Sequence, residues 1–197
     1  MSIVLQGSTS GSITLQEPAV AGSTVLTLPA VSGTILTTTS PKAGNVIQVV
    51  STTKTDTSST TSTTYSDIAG LSASITPISS SSKILVLYSV SASNDTFSCC
   101  IQLVRGSTVI NIGTSGTGSR NNCTLGSYYT YTDLNSSATY GGTFLDSPAT
   151  SSATTYKLQF KVGIAGGTAY INRTFNNADF GYTVCLPSSI TILEIAG

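Results

Sequence analysis

Beyond residue 44, apolar positions come in short, mostly β-branched runs separated by clusters of Gly, Pro, Asn, Ser and Thr, and no 3.6-residue period develops. The pattern predicts strands, and few of them are long. Val46 to Val50 opens the series. The polar stretch from Ser51 to Thr64 reads as a long exposed strand or as a loop. Leu71 to Ile75 is a short strand stopped by Pro77 and the serines behind it. Lys83 to Val90 (KILVLYSV) is the strongest strand, expected to be buried on both faces in its first half. Cys99 to Val104 and Thr108 to Ile112 flank a turn at Arg105, Gly106 and Ser107, the mark of a hairpin. Gly113 to Asn122 is a glycine-rich loop, Thr143 to Leu145 a further strand, and Tyr156 to Val162 (YKLQFKV) alternates well. Gly166 and Gly167 turn that segment into Tyr170 to Phe175, and Ile190 to Ile195 (ITILEI) closes the series. About eight to ten strands in roughly 150 residues are spaced as in an antiparallel β-sandwich or jelly roll.

The first 44 residues follow a different rule. Gly11, Gly22, Gly33 and Gly44 recur every 11 residues, each followed by a small polar residue, and Pro18 and Pro29 keep the same spacing. The copies GSITLQEPAVA, GSTVLTLPAVS and GTILTTTSPKA each hold one short strand and one turn. Proline closes the strand because it cannot donate to a ladder, and glycine supplies the positive φ of a tight turn. A strand of that length buries little alone, and unpaired edges seek partners. Identical copies from other chains, wound about a shared axis, are the natural partners. The chain therefore divides into a β-repeat attachment or stalk arm that pairs with other copies, 1–44, and a jelly-roll domain, 45–197.

Composition sharpens this picture. Charged residues are 8% of the chain and net charge is zero, far below the usual ~25%. Hydrophobic content of 39%, with nine Tyr and five Phe, still argues for a packed core. The surface is then largely hydroxylated, and a free monomer has little charge to keep it soluble. No basic run offers a nucleic-acid footprint. No apolar run approaches the ~18 residues of a membrane-inserting helix, and the N-terminus lacks the basic and apolar regions of a secretory signal. Cys99, Cys100, Cys123 and Cys185 form no C-x-x-C pair, so zinc is not expected, and the thiols are expected to be reduced and structural.

Little catalytic chemistry is on offer. The chain has no histidine, which removes Ser-His-Asp and Cys-His sites and the commonest general base. Asp95, Asp133, Asp146 and Asp179 lie in polar or turn-rich contexts where Asp is expected for its hydrogen bonds. Asn176, Asn177 and Asp179 lack the spacing of a calcium loop. No enzyme activity, metal or cofactor is expected. Arg120, Asn121, Tyr129 and Tyr131 have the amphipathic character of a receptor contact, such as a host-surface glycan. Packing of one strand face against the core explains the two tyrosines as well.

The N-terminal stretch GSITLQEPAVAGSTVLTLPAVSGTIL resembles the segment found near the start, or ahead of the tip, of many tailed-phage fibre proteins. The set KILVLYSVSA, IQLVRGSTVI, FLDSPATSSATTYKLQFKV, YINR and SSITILEI is similar to tip domains of the same proteins. The resemblance implies a homotrimeric appendage on the virion surface, with a jelly-roll head of tumour-necrosis-factor-like shape. It also implies that the arm meets other virion proteins of the tail or capsid. A short tail fibre that contacts the host is the first expectation. A trimeric capsid decoration protein is the second, since almost no shaft is present, and a free carbohydrate-binding lectin is the third.

Overall fold

The computed structural model describes residues 3–6, 8–15, 30, 41–114, 116–128 and 135–197. The chain falls into two compact units, Met1–Ile35 and Leu36–Gly197. In the first, β1 (Ile3–Gln6) and β2 (Ser12–Leu15) pair antiparallel, with Gln6 opposite Ser12. Gly11 enters β2 at φ 78°, a conformation that strains any residue with a Cβ. Val4, Leu5 and Ile13 stay exposed, because a two-stranded hairpin has no second layer of its own to bury them. Pro18, Gly22, Pro29 and Gly33 lie outside the described residues.

The second unit is all β among its described residues. Its strands are β3 (Val46–Lys54), β4 (Ser58–Thr60), β5 (Ser66–Ile75), β6 (Lys83–Asn94), β7 (Ser98–Arg105) and β8 (Thr108–Ile110). They continue with β9 (Leu125–Tyr128), β10 (Ala138–Asp146), β11 (Thr154–Val162), β12 (Ala169–Ile171) and β13 (Ser188–Ile195). All pairings are antiparallel. One sheet runs β3-β13-β6-β10, with β12 and β4 continuing beyond β13 along β6. The other runs β5-β11-β7, with β8 and β9 both on β7. Successive long strands thus alternate between sheets, and the last returns beside the first. That is the order of a jelly roll.

The core lies between the sheets. Ile84, Val86 and Tyr88 of β6 and Ile190 and Ile192 of β13 face Leu71, Ile75, Ile101, Leu103, Leu158 and Phe160 from the other sheet. Each strand contributes alternate residues, the period of two that a half-buried sheet requires.

Several elements differ from the sequence expectation. β5 begins at Ser66, because Ile68 and Leu71 reach the core across polar neighbours and Gly70 takes φ 83°. β6 reverses its expected burial. Leu85 and Leu87 in its first half are only half-buried, whereas Val90 to Asn94 is buried on both faces. Ser91 Oγ donates to the Pro187 carbonyl and Ser93 Oγ to the Arg173 carbonyl, so the loop between β12 and β13 covers that end. The Gly166 turn joins strands of different sheets instead of forming a hairpin. β12 stops at Ile171 because Asn172 takes φ 66°. Gly44 lies within the second unit, at φ 87°, and its N–H donates to the Ala196 carbonyl at 2.8 Å.

Asn172 is fully buried, yet every group it brings inside is paired. Its Nδ2 donates to the carbonyls of Lys54 and Asp56, both at 2.9 Å, and its Oδ1 accepts from Ser188 Oγ. The Ser91 N–H donates to that same Ser188 hydroxyl at 2.9 Å. The side chain thus fills the gap in the ladder between the end of β12 and the start of β13, as buried polar groups must be satisfied.

Candidate assembly face

The outward face of the β3-β13-β6-β10 sheet is built by the same alternation as the core. Register places Val49, Leu193, Leu85 and Leu145 in one row across four strands. Val49 is 59% exposed and Leu145 51%, while Leu85 and Leu193 are half-buried between them. The next rows are Ser51, Thr191, Leu87, Thr143 and then Thr53, Ser189, Ser89, Gly141. On the other side Val46, half exposed, meets Ile195, which meets Lys83. Lys83 is the single charged side chain in these four rows. Hydroxyls pair with each other, Ser51 with Thr191 at 2.7 Å and Ser91 with Thr139 at 2.8 Å. The face is therefore an apolar stripe bordered by hydroxyls, of which Ser51 and Thr191 pair across the ladder. A shallow depression lies over Gly141, lined by Leu87, Ser89, Thr143, Ser189 and Thr191.

The opposite sheet presents another chemistry. Asp67 accepts from Lys157 Nζ at 2.9 Å and from Gln159 Nε2 at 2.7 Å, and Gln102 donates to Gln159 at 2.6 Å. These donors, Gln159 foremost and then Lys157, hold the Asp67 carboxyl below its ordinary value. Lys161 lies 5.0 Å above the Tyr65 ring. A face with hydrated, mutually paired charges suits water. The face with the Val49–Leu145 row does not.

Two devices hold β10, the edge strand of the apolar face. At its end Asp146, buried, takes two hydrogen bonds from Arg105 Nη1 of β7, both at 2.8 Å, and one from the Tyr156 hydroxyl of β11 at 2.6 Å. Asp146, expected from its polar or turn-rich context to serve hydrogen bonds, commits them to an inter-sheet tie beside Leu145. Burial, and then the Asp146 bond, push the Tyr156 phenol well above its ordinary range. In mid-strand Gly142 is opposite Tyr88, whose ring covers it: a Cβ there would sit 2.6 Å from the Tyr88 oxygen. Tyr88 crosses the core to accept from Asn111 Nδ2 at 3.0 Å, and burial raises its phenol.

Of the expected receptor contacts, Arg120 and Asn121 lie among the described residues, adjacent in the chain and differently engaged. Arg120 is exposed and donates to Thr117 Oγ1 at 3.2 Å. Asn121 is part-buried and committed, donating to the Gly163 carbonyl and accepting from Lys161 Nζ at 2.8 Å. Tyr129 and Tyr131 lie outside the described residues, as does Asp133. Asp95 accepts from the Thr168 N–H at 2.7 Å, the loop role expected of it. Asn176 is likewise engaged, with Ala178 and Asn135. Among the described residues no group of three or more His, Cys, Asp or Glu is placed to hold a metal, and no helix is long and apolar enough to cross a membrane.

The apolar face escaped the sequence reading because it depends on register between strands far apart in the chain. A signal was present. KILVLYSV and ITILEI carry apolar residues at both parities, so each has a second apolar face to place. Comparison with protein-family models and with curated proteins returns no match.

Proposed function

We propose that this chain is a non-enzymatic structural protein of a tailed-phage particle that assembles as a homotrimer. The N-terminal repeat docks on other virion proteins, and the jelly roll projects from the virion surface. The observation that carries the reading is the uncharged Val49–Leu193–Leu85–Leu145 row on one sheet, against paired charges on the other. Burying that row between copies removes apolar surface from water at ~25 cal/mol per Å² and strands no charge. The stoichiometry of three and the phage setting come from the resemblance of the repeat and the strand motifs to fibre proteins. Exposed β1–β2 residues Val4, Leu5 and Ile13 fit an arm that finds its second layer on a neighbour.

Light scattering on the full chain tests the assembly, and a monodisperse monomer at micromolar concentration overturns it. Immunogold labelling of purified particles tests the setting. Label on the tail in tens of copies supports a short fibre, and label over the shell in hundreds supports a decoration protein. Particles without label refute both.

A further inference from the structure

Cys99 and Cys100, adjacent on β7, face opposite sides of the sheet. Cys99 belongs to the core between the sheets, while Cys100 faces outward and is covered by the segment that follows β8. The cover is specific. The Thr124 N–H donates to the Ile101 carbonyl at 2.8 Å, and Thr124 Oγ1 accepts from the Leu103 N–H at 3.0 Å. This fastens Cys123 alongside β7. Gly126 is the cross-strand partner of Cys100, and Cys123 Sγ lies 3.5 Å from where a Gly126 Cβ would be. The Cys123 sulfur thus lies against the strand position paired with Cys100, in van der Waals contact with where a side chain at 126 would begin. Around them stand Ser98 Oγ, 3.9 Å from Cys100 Sγ, the Asn121 carbonyl, 3.7 Å from Cys123 Sγ, and the Lys161 ammonium, held by Asn121 Oδ1 at 2.8 Å. Tyr65 closes the cluster, its hydroxyl donating to the Asn122 carbonyl.

We propose that Cys100 and Cys123 form a dithiol that is oxidised to an intramolecular disulfide by a low-molecular-weight disulfide of the glutathione type. The neighbouring Cys123, then Ser98 and Lys161, lower the Cys100 thiol, while Cys100 and burial raise Cys123. Cys123, the more exposed of the two, loses its proton to solvent and attacks one sulfur of RS–SR as the thiolate, and RS⁻ leaves. Cys100, the sulfur its neighbours favour as thiolate, then attacks the Cys123 sulfur of the mixed disulfide and expels the second RS⁻, and the proton released by Cys123 is taken up by RS⁻. The two protein sulfurs lose two electrons, and RS–SR gains them. Cys99 faces the core and Cys185 stands apart on the β12–β13 loop, so neither is a partner in this step.

The closed ring of about two dozen residues pins the loop after β8 to β7, and its chain-entropy effect corresponds to a melting-temperature rise of roughly 7–14 °C. The experiment treats the full chain, carrying Cys185→Ser, with oxidised glutathione, alkylates the remaining thiols and maps the peptides by mass spectrometry. The expected result is a Cys100–Cys123 link that persists in Cys99→Ala and is absent from Cys100→Ser and Cys123→Ser. The melting temperature should rise on oxidation and return with dithiothreitol, and Cys123→Ser should show no such response. A stable glutathione adduct on Cys123, a link through Cys99, or four thiols still alkylated on unfolding after prolonged treatment of the unsubstituted chain each overturn the proposal.

Discussion

Removing the carboxylate of Asp146 tests whether the edge of the apolar face is held by chemistry or only by ladder pairing. Asp146→Ala leaves the Tyr156 hydroxyl, on a residue with 0% exposure, without the acceptor it has at 2.6 Å. An orphaned buried donor costs ~1–3 kcal/mol. It also leaves Arg105 unpaired, but that side chain is 28% exposed, so water recovers part of the loss. Breaking a fully buried pair costs ~3–5 kcal/mol, and partial exposure places this case at the lower end, about 3 kcal/mol. Tyr156→Phe removes the phenolic donor and leaves Asp146 with both Arg105 bonds, so it should cost ~1.5 kcal/mol.

Urea is the suitable denaturant, because guanidinium chloride would screen the ion pair. The chain has no tryptophan, so circular dichroism follows the transition. With a urea slope of ~2 kcal/mol per molar, Asp146→Ala should lower the midpoint by ~1.5 M at fixed protein concentration. The double substitution Asp146→Ala with Arg105→Met should cost less than the two changes summed, since neither charge is then left alone. A loss under ~1 kcal/mol for Asp146→Ala would show that β6 pairing alone fixes β10, and that the tie is incidental.

The remaining predictions concern the two faces and the strand beside them. Leu85→Glu or Leu193→Glu should convert the assembled protein to monomer in light scattering while the far-ultraviolet spectrum is kept, whereas Ser74→Glu on the other sheet should leave the mass unchanged; equal effects would remove the apolar row from the interface. Gly142→Ala should cost ~1–3 kcal/mol in urea unfolding, because its Cβ would meet Tyr88 at 2.6 Å and press the ring off Asn111; Gly166→Ala, with open space around it, isolates the pure φ cost. Asp67 has a folded pKa below its ordinary value of 3.8, so its contribution is present above about pH 4 and is lost as pH falls through the folded value. With its side chain 54% exposed the effect should stay below ~1 kcal/mol, and Asp67→Asn should flatten the acid limb of the stability curve by no more than that.

Strand positions were legible where one parity is apolar throughout, as in YKLQFKV, which becomes β11 with Tyr156, Leu158, Phe160 and Val162 inside. They were less legible where polar residues carry the strand. The first half of β5, SDIAG, has one core residue in five, and its pairing with β11 is what makes it a strand. The Asn172 break in YINRTF depends on carbonyls of Lys54 and Asp56, far away in sequence, and no local rule announces a buried asparagine at positive φ. Of the site, the hydroxyl-rich surface could be read from composition, but the Val49–Leu145 row and the Cys100–Cys123 pair depend on cross-strand register.

The first half of KILVLYSV is expected to be buried on both faces, and the folded chain covers one of them. Ile84, Val86 and Tyr88 reach the core, while Leu85 and Leu87 lie on a face that the described residues leave half-open. The same holds for β13, where Ile190 and Ile192 are covered and Leu193 and Ile195 are not. Strands apolar at both parities are costly to leave half in water, and a chain with 8% charge has little with which to offset that exposure. Among the described residues three ion pairs take up some of the charges it does have, Lys157 with Asp67, Arg105 with Asp146 and Lys54 with Asp56. Covering the β3-β13-β6-β10 face with a second copy would complete the two-sided burial that the sequence calls for and leave the Lys157–Asp67 pair of the other sheet in water. An edge strand fixed at Asp146 and at Gly142 is what such a surface needs, because a row of four side chains presents one shape only if its last strand cannot slide.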